Sequence, residues 1–263
     1  MSRRNTVTES AASDGATVAM DHFRTTLDVE SKASKMDYVT EADRAAQRAV
    51  IDRIGQDFPA ATIVGEEEDE RKTVPGEGEY WVVDPIDGTS NFVLGLPTWA
   101  LAVVSVGPEG PIAAATVAPA LGDTFVAGEE GTTHNGEAVT VSERTDISEF
   151  TVASILRYGQ DRDEAFGTML RESLINFGDL RRFGCAQLTF GFVASGMLDA
   201  AIGINPDPNP WDTIGGAYVV EQAGGTVTDV HGDEWSPSSH GLIASNGKAH
   251  DELIQTLQET LDV

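Results

Sequence analysis

Tyr80-Trp81-Val82-Val83-Asp84-Pro85-Ile86-Asp87-Gly88-Thr89-Ser90-Asn91 sets two carboxylates three residues apart, between an apolar run and a Gly-Thr pair. The aromatic and β-branched run before Asp84 reads as a short buried strand that delivers Asp84 at its C-terminal end. Pro85 donates nothing to a ladder and Asp87-Gly88 is a turn dipeptide, so a tight bend is expected with Asp84 and Asp87 on its two limbs. Carboxylates brought that close repel unless a cation lies between them, and hard cations such as Mg²⁺ take oxygen ligands. Backbone N–H groups at Gly88 and Thr89 face an anion if a short helix begins at Thr89 or Ser90. A bare D-x-x-D-G also reads as a surface turn with Asp as a capping residue, so the metal reading needs distant partners.

Two acidic sites supply them. In Ile63-Val64-Gly65-Glu66-Glu67-Glu68 a short strand would bring Glu66 to the same sheet edge as Asp84, while Glu68, Asp69 and Glu70 read as solvated surface. Asp212, after Trp211, precedes a helical stretch from Thr213 to Gln222 that carries Ile214, Ala217, Tyr218 and Glu221 at helical spacing and ends at Gly224-Gly225. As a helix N-cap, Asp212 would contribute about 1 kcal/mol. The helix dipole also keeps such a carboxylate ionised, as a metal ligand must be.

Gly65-Glu66-Glu67, the run D-P-I-D-G-T-S-N-F from Asp84 to Phe92, and W-D-T-I-G-G-A-Y-V-V-E-Q-A-G-G from Trp211 to Gly225 resemble the motifs of the inositol monophosphatase family. These are lithium-sensitive, Mg²⁺-dependent phosphatases, grouped with fructose-1,6-bisphosphatase and the 3'-phosphoadenosine 5'-phosphate phosphatases. The likeness runs from Lys32 to Gly247. It implies a site for two or three Mg²⁺ ions. Glu66, Asp84 and the carbonyl of Ile86 match ligands of the first, and Asp84, Asp87 and Asp212 match ligands of the second, with Asp84 bridging. Thr89 matches the residue that, with Glu66, orients the attacking water, and Asp43 the carboxylate that hydrogen-bonds this threonine. Gly88 and Thr89 would give backbone N–H groups to the phosphate. Gly184-Cys185-Ala186 matches the helix-start segment along the substrate ring. Lys32 falls where relatives carry a lysine near the metals, with Lys35 close by.

The implied chemistry needs no cysteine or histidine nucleophile, because bound metals neutralise the phosphate dianion and acidify a water. His22, His134, His231, His240 and His250 are scattered without ligand spacing and read mostly as solvated. Cys185 cannot form an internal disulfide; it reads either as a small core residue or as a lining of the pocket.

Composition speaks to the surroundings. With 17 Lys+Arg against 43 Asp+Glu the net charge is -26, a self-repulsion that salt screens as the Debye length falls to ~3 Å at 1 M. The pattern reads as halophilic, and its acidity is spread through apolar-containing segments rather than one disordered block. A chain without a basic patch is a poor nucleic-acid binder. No apolar run approaches the ~20 residues of a membrane span, and Met1-Ser2-Arg3-Arg4 leads into polar sequence, so no membrane association and a cytoplasmic location are expected.

The fold class expected is α/β (α+β), and the resemblance implies a five-layer αβαβα sandwich. An N-terminal part, residues 1–145, would carry helices (Thr6 to Leu27, and Ala42 to Asp57 with Ala46, Val50 and Ile54 on one face), a largely antiparallel sheet and most metal ligands. Strands are expected at Trp99–Val106, Ile112–Ala118 and Thr124–Ala127, with a hairpin at Asn135-Gly136. Residues 146–263 alternate: strand Thr151–Leu156, helix Arg162–Phe177, strand Leu180–Phe183, helix Ala186–Ser195, strand Leu198–Ile204. Such alternation suggests a mostly parallel layer, here holding the substrate pocket and Asp212.

The substrate expected is a small phosphate ester, inositol 1-phosphate or fructose 1,6-bisphosphate, and relatives are commonly homodimers. Where inositol-specific relatives carry a glutamate, this chain has Gly203. Arg182 or Arg181 would meet a second phosphate or a polar sugar, and only one of two adjacent strand residues can face the pocket. The loop from Asn205 to Pro210, with three prolines, is readable as a stiff pocket wall or a solvent loop. A 3'-phosphoadenosine 5'-phosphate phosphatase, a histidinol phosphatase and a non-catalytic metal-binding protein remain as alternatives.

Overall fold

A computed structural model describes residues 2–26, 29–31, 38–67, 70–155, 163–204 and 208–261. The elements begin with α1 (Arg3–His22), β1 (Val29–Ser31), β2 (Tyr38–Thr40), α2 (Glu41–Asp57), β3 (Ile63–Gly65), β4 (Tyr80–Asp87) and α3 (Thr89–Leu94). There follow β5 (Ala100–Gly107), β6 (Gly110–Ala118), β7 (Asp123–Gly128), β8 (Gly131–His134), β9 (Glu137–Val139), a 3₁₀ turn (Ile147–Glu149) and β10 (Thr151–Ser154). The chain continues through α4 (Asp163–Asn176), β11 (Asp179–Arg181), α5 (Ala186–Ala194), β12 (Ala200–Gly203) and α6 (Pro210–Gln222). It ends with β13 (Thr226–Thr228), β14 (Leu242–Ser245) and α7 (His250–Leu261).

Strand alternation sorts the apolar side chains into layers, because successive residues face opposite sides of a sheet. Trp81 and Val83 of β4, with Leu101 and Val103 of β5, pack with Ala11, Ala12 and Ala16 of α1 and Ala46, Val50 and Ile54 of α2. Tyr80 and Val82, on the opposite face, join Leu188 and Phe190 of α5 and Ile214 and Tyr218 of α6. That central core continues to Ala153, Ala201 and Ala244, and the other face of the same strands offers Val152, Ala200 and Ile243 to Met169 of α4 and Leu253 and Leu257 of α7. The result is helices α1 and α2, a seven-stranded sheet, helices α5 and α6, a five-stranded sheet, and helices α4 and α7: the αβαβα sandwich.

The larger sheet has the order β3-β4-β5-β6-β7-β8-β9 and is antiparallel except for the parallel β3–β4 pair. Its last hairpin turns at Asn135 and Gly136, both at positive φ (52° and 82°), as an Asn-Gly turn requires. The smaller sheet, β11-β10-β12-β14-β13, is mixed: β11, β10 and β12 run parallel, and β14 pairs antiparallel with both β12 and β13. Because β14 runs opposite to both β12 and β13, four of these five strands point one way, as expected of a mostly parallel layer, and β14 is the departure.

Other boundaries move for local reasons. The first helix ends at His22 instead of Leu27, where Phe23 turns to extended backbone (ψ 130°). The second begins with a capping box: Thr40 Oγ1 accepts from the Ala42 N–H, and Asp43 Oδ2 accepts from both the backbone N–H and the hydroxyl of Thr40. His250 is buried, between Ser245 Oγ (2.7 Å) and Thr228 Oγ1 (2.9 Å), contrary to the solvated reading. Leu156 and Arg162, expected at the ends of a strand and a helix, lie outside the described residues.

Helices α5 and α6 pack closely because α6 presents glycine. A Cβ on Gly216 would lie 1.9 Å from Phe190 Cδ2. Gly216→Ala is expected to destabilise by about 1–3 kcal/mol or more through overpacking, measured by urea denaturation in molar KCl.

Candidate active site

The geometry at β4 differs from the tight bend expected at Asp84–Asp87. The strand continues to Asp87, but Asp84 pairs with Ala102 and Asp87 with Ala100, three residues against two. This one-residue bulge reverses the alternation, so Asp84 and Asp87 face the same side of the sheet. The turn comes one residue later. Gly88 is left-handed (φ 87°, ψ 38°), and a Cβ there would stand 3.0 Å from the Gly184 carbonyl oxygen and 3.2 Å from that of Thr98. Glycine is needed both for conformation and for space. Helix α3 then starts at Thr89, whose hydroxyl donates to the Ile86 carbonyl at 3.0 Å, leaving the Thr89 lone pairs as acceptors.

Asp84 is 1% exposed, and neither of its carboxylate oxygens has a hydrogen-bond partner. A buried carboxylate without donors is costly unless a cation meets it. Burial pushes its carboxyl well above the usual carboxylate range, and the charges of Glu66, Asp87, Asp212 and Asp43 add to the rise. These are the carboxylates singled out from four separate stretches of sequence, and the fold gathers them around Asp84. Among the described residues no three His, Cys, Asp or Glu side chains stand in closed metal-ligand geometry. The group forms an open acidic cradle.

Each carboxylate is held by a different device. Glu66 follows β3, and its loop is clamped from two sides. Gln47 of α2 accepts from the Glu67 N–H (2.9 Å) and donates to the Glu67 carbonyl (2.7 Å), while Lys72 Nζ donates to the carbonyls of Gly65, Glu66 and Glu67 at 2.9, 3.1 and 3.0 Å. Gly65 leaves room for this clamp, since a Cβ there would lie 2.8 Å from Gln47 Oε1. Asp87 Oδ2 accepts from the Gln187 N–H (2.6 Å) and from Cys185 Sγ (3.2 Å) at the start of α5. Burial outweighs these bonds and pushes Asp87 up to about 6. Asp212 lies in the first turn of α6 and accepts from Asn209 Nδ2 at 3.0 Å; Asn209, not Asp212, is the N-cap, and Pro210 opens the helix.

The segment across the site, Gly184-Cys185-Ala186, is tied to α3 by Asn91, whose Nδ2 donates to the carbonyls of Thr98 (2.6 Å) and Phe183 (2.7 Å). Cys185 is 3% exposed in the central core, as its reading as a small core residue expects, and its thiol donates to Asp87. Burial and the nearby Asp87 charge push that thiol well above its usual range, so it stays a donor. Arg182 is exposed, and Arg181 pairs with Asp179 at 2.5 Å. Gly203 is buried inside β12, opposite Leu242. Pro208 is buried and Asn209 exposed, while Asn205, Pro206 and Asp207, like Lys32, Lys35, Glu68 and Asp69, lie outside the described residues.

Gln47, Lys72, Asn91 and Gln187 support the site without having been assigned roles from the sequence. Gln47 and Gln187 did carry a signal, each being a polar residue on an apolar helix face. Loss of both amide bonds in Gln47→Leu leaves the Glu67 N–H without its acceptor, and a cost of about 1–3 kcal/mol is expected, to be measured by urea denaturation.

Comparison with known proteins agrees with this geometry. The chain matches the inositol monophosphatase family over residues 2–262. It is 36% identical to the fructose-1,6-bisphosphatase/inositol-1-monophosphatase of Thermotoga maritima, over 92% of this chain and 91% of that one. With the histidinol-phosphatase of Streptomyces coelicolor it shares 34% identity, over 94% and 93%. The solved structure of the Thermotoga maritima IMPase superposes with a TM-score of 0.86 at 32% identity, covering 96% of each chain. The chain belongs to the inositol monophosphatase family, a generally Mg²⁺-dependent family, and is a phosphoric monoester hydrolase.

Proposed function

We propose that this chain hydrolyses a small sugar or cyclitol phosphate, inositol 1-phosphate and/or fructose 1,6-bisphosphate, with Mg²⁺ held at the acidic cradle. The observation that carries the reading is Asp84, a buried carboxylate with two unpartnered oxygens amid four other acidic residues. Glu66, Asp84 and the Ile86 carbonyl would hold one ion, and Asp84, Asp87 and Asp212 a second, a donor set made only of the hard oxygens Mg²⁺ prefers. Mg²⁺ would supply charge neutralisation of the phosphate and a more acidic water.

The residues of the chain do the rest. Thr89 gives its hydroxyl proton to the Ile86 carbonyl, so its oxygen is oriented to accept a hydrogen bond from the attacking water. Glu66 is proposed to hold the same water. Asp43, which the family likeness pairs with Thr89, accepts from the N–H and hydroxyl of Thr40, while the one Thr89 hydroxyl proton goes to Ile86; its proposed part is the negative charge it adds near Asp84. The N–H groups of Gly88 and Thr89 lie where a helix begins and its first donors have no intrahelical acceptor, a position suited to phosphate oxygens. Gly184, Cys185 and Ala186 would border the leaving group, with Lys32 and Arg182 as further contacts. Hydrolysis forms a bond from water oxygen to phosphorus and breaks the bond to the ester oxygen, which leaves as the alcohol.

The -26 net charge supports function at high salt. The testing experiment is phosphate release from inositol 1-phosphate, fructose 1,6-bisphosphate, histidinol phosphate and 3'-phosphoadenosine 5'-phosphate, with Mg²⁺ in molar KCl, with and without Li⁺. Turnover of one of the first two, lost with chelator, is the expected result. Preference for histidinol phosphate would favour the activity of the Streptomyces coelicolor relative instead.

Ligand linkage supplies a prediction independent of turnover. Mg²⁺ at ~100 times its dissociation constant should stabilise the parent by about 2.7 kcal/mol, raising its Tm. Asp84→Asn should show no such rise in differential scanning calorimetry.

A further inference from the structure

Gln187 is 1% exposed in the first turn of α5, and it contacts two of the carboxylate-bearing segments at once. Its backbone N–H donates to Asp87 Oδ2 at 2.6 Å. Its side-chain Nε2 donates to the carbonyl of Trp211 at 2.7 Å, the peptide that leads into Asp212. The amide lies over Gly215, where a Cβ would come within 3.4 Å of Gln187 Oε1. That oxygen is buried with no hydrogen-bond partner.

This arrangement is costly for the fold alone. A donor-free amide oxygen in a core is a penalty that an apolar side chain of similar length avoids, at the loss of the one Nε2 bond to the Trp211 carbonyl. The amide bond to Trp211 makes sense as a geometric constraint instead. Helix α5 already holds Asp87 through its N-terminus, and the Gln187 side chain ties that N-terminus to the first turn of α6, where Asp212 projects.

We propose that Gln187 is a positioning residue that sets the separation of Asp87 and Asp212, and thereby the affinity of the cation these two carboxylates share. The proposal rests on the cation reading above. It assigns Gln187 no contact with substrate or cation; it acts through the Trp211 carbonyl and the Asp87 carboxylate. Side chains that orient ligands in this way typically change metal affinity about 10–100-fold when replaced.

The test is Gln187→Met, which keeps the length of the side chain and removes its donor. Mn²⁺ binding is followed by electron paramagnetic resonance of free Mn²⁺, alongside Tm in chelator. The expected result is a Tm in chelator close to the parent's, together with one of two Mn²⁺ dissociation constants raised about 10-fold or more while the other is unchanged. At saturating Mn²⁺, KM for the phosphate ester should stay at the parent value. Should the Met variant fail to fold, Gln187→Leu gives the same comparison. A Mn²⁺ isotherm that superimposes on the parent's, or one in which both sites weaken in step with a lowered Tm, overturns the proposal. A parent that binds no Mn²⁺ overturns the cation reading and this inference together.

Discussion

The structure is organised around one electrostatic constraint, the burial of the Asp84 carboxylate where no donor reaches it and four other acidic residues surround it. A globular protein rarely encloses a charged group without partners, because the loss of hydration is far larger than any single packing gain. The position persists because β4 is covered on both faces and the bulge at Pro85–Ile86 turns Asp87 to the same side as Asp84. Placement of the acid is therefore a property of the five-layer sandwich as a whole.

Around that point the sandwich supplies rigid supports from separate layers. Gln47 comes from the outer helical layer and reaches the Glu66 loop; Cys185 and Gln187 come from the central helical layer and reach Asp87; α6 brings Asp212. Lys72 is one of only four lysines in the chain, and its ammonium meets three carbonyls in one turn. A compact ammonium with three rotatable donors suits that fan of acceptors better than a planar guanidinium. Since the supports belong to different layers, shifts in packing between layers change the separations of the carboxylates. Within the central layer, the close α5–α6 contact at Gly216 and Phe190 sets the distance between the helices that carry Gln187 and Asp212.

Much of this is legible in the sequence, for identifiable reasons. The strand before Asp84, the helix from Thr89, the Asn135-Gly136 hairpin and the buried face of α2 each announce themselves within a few residues. The bulge does not, because it is defined by register against β5, a partner distant in sequence. Asp212 looked like an N-cap because it precedes an apolar helix, yet Pro210 starts the helix earlier and Asn209 takes that place. The mixed order of the smaller sheet was hidden as well: β14 inserts between β12 and β13, and such an insertion leaves no local trace. Helix α7, with Leu253, Ile254 and Leu257 buried, lies beyond Gly247, the end of the likeness legible by eye, although the family match extends to residue 262.

In the proposed function the enclosed acid at Asp84 serves to hold a divalent cation. Anomalous diffraction from crystals grown with Mn²⁺ tests it most directly. A cation held there gives an anomalous peak at bonding distance from a carboxylate oxygen of Asp84, with Glu66 or with Asp87 and Asp212 completing the ligand set. Mn²⁺ peaks confined to the acidic surface, with the Asp84 oxygens still without any partner, would contradict it.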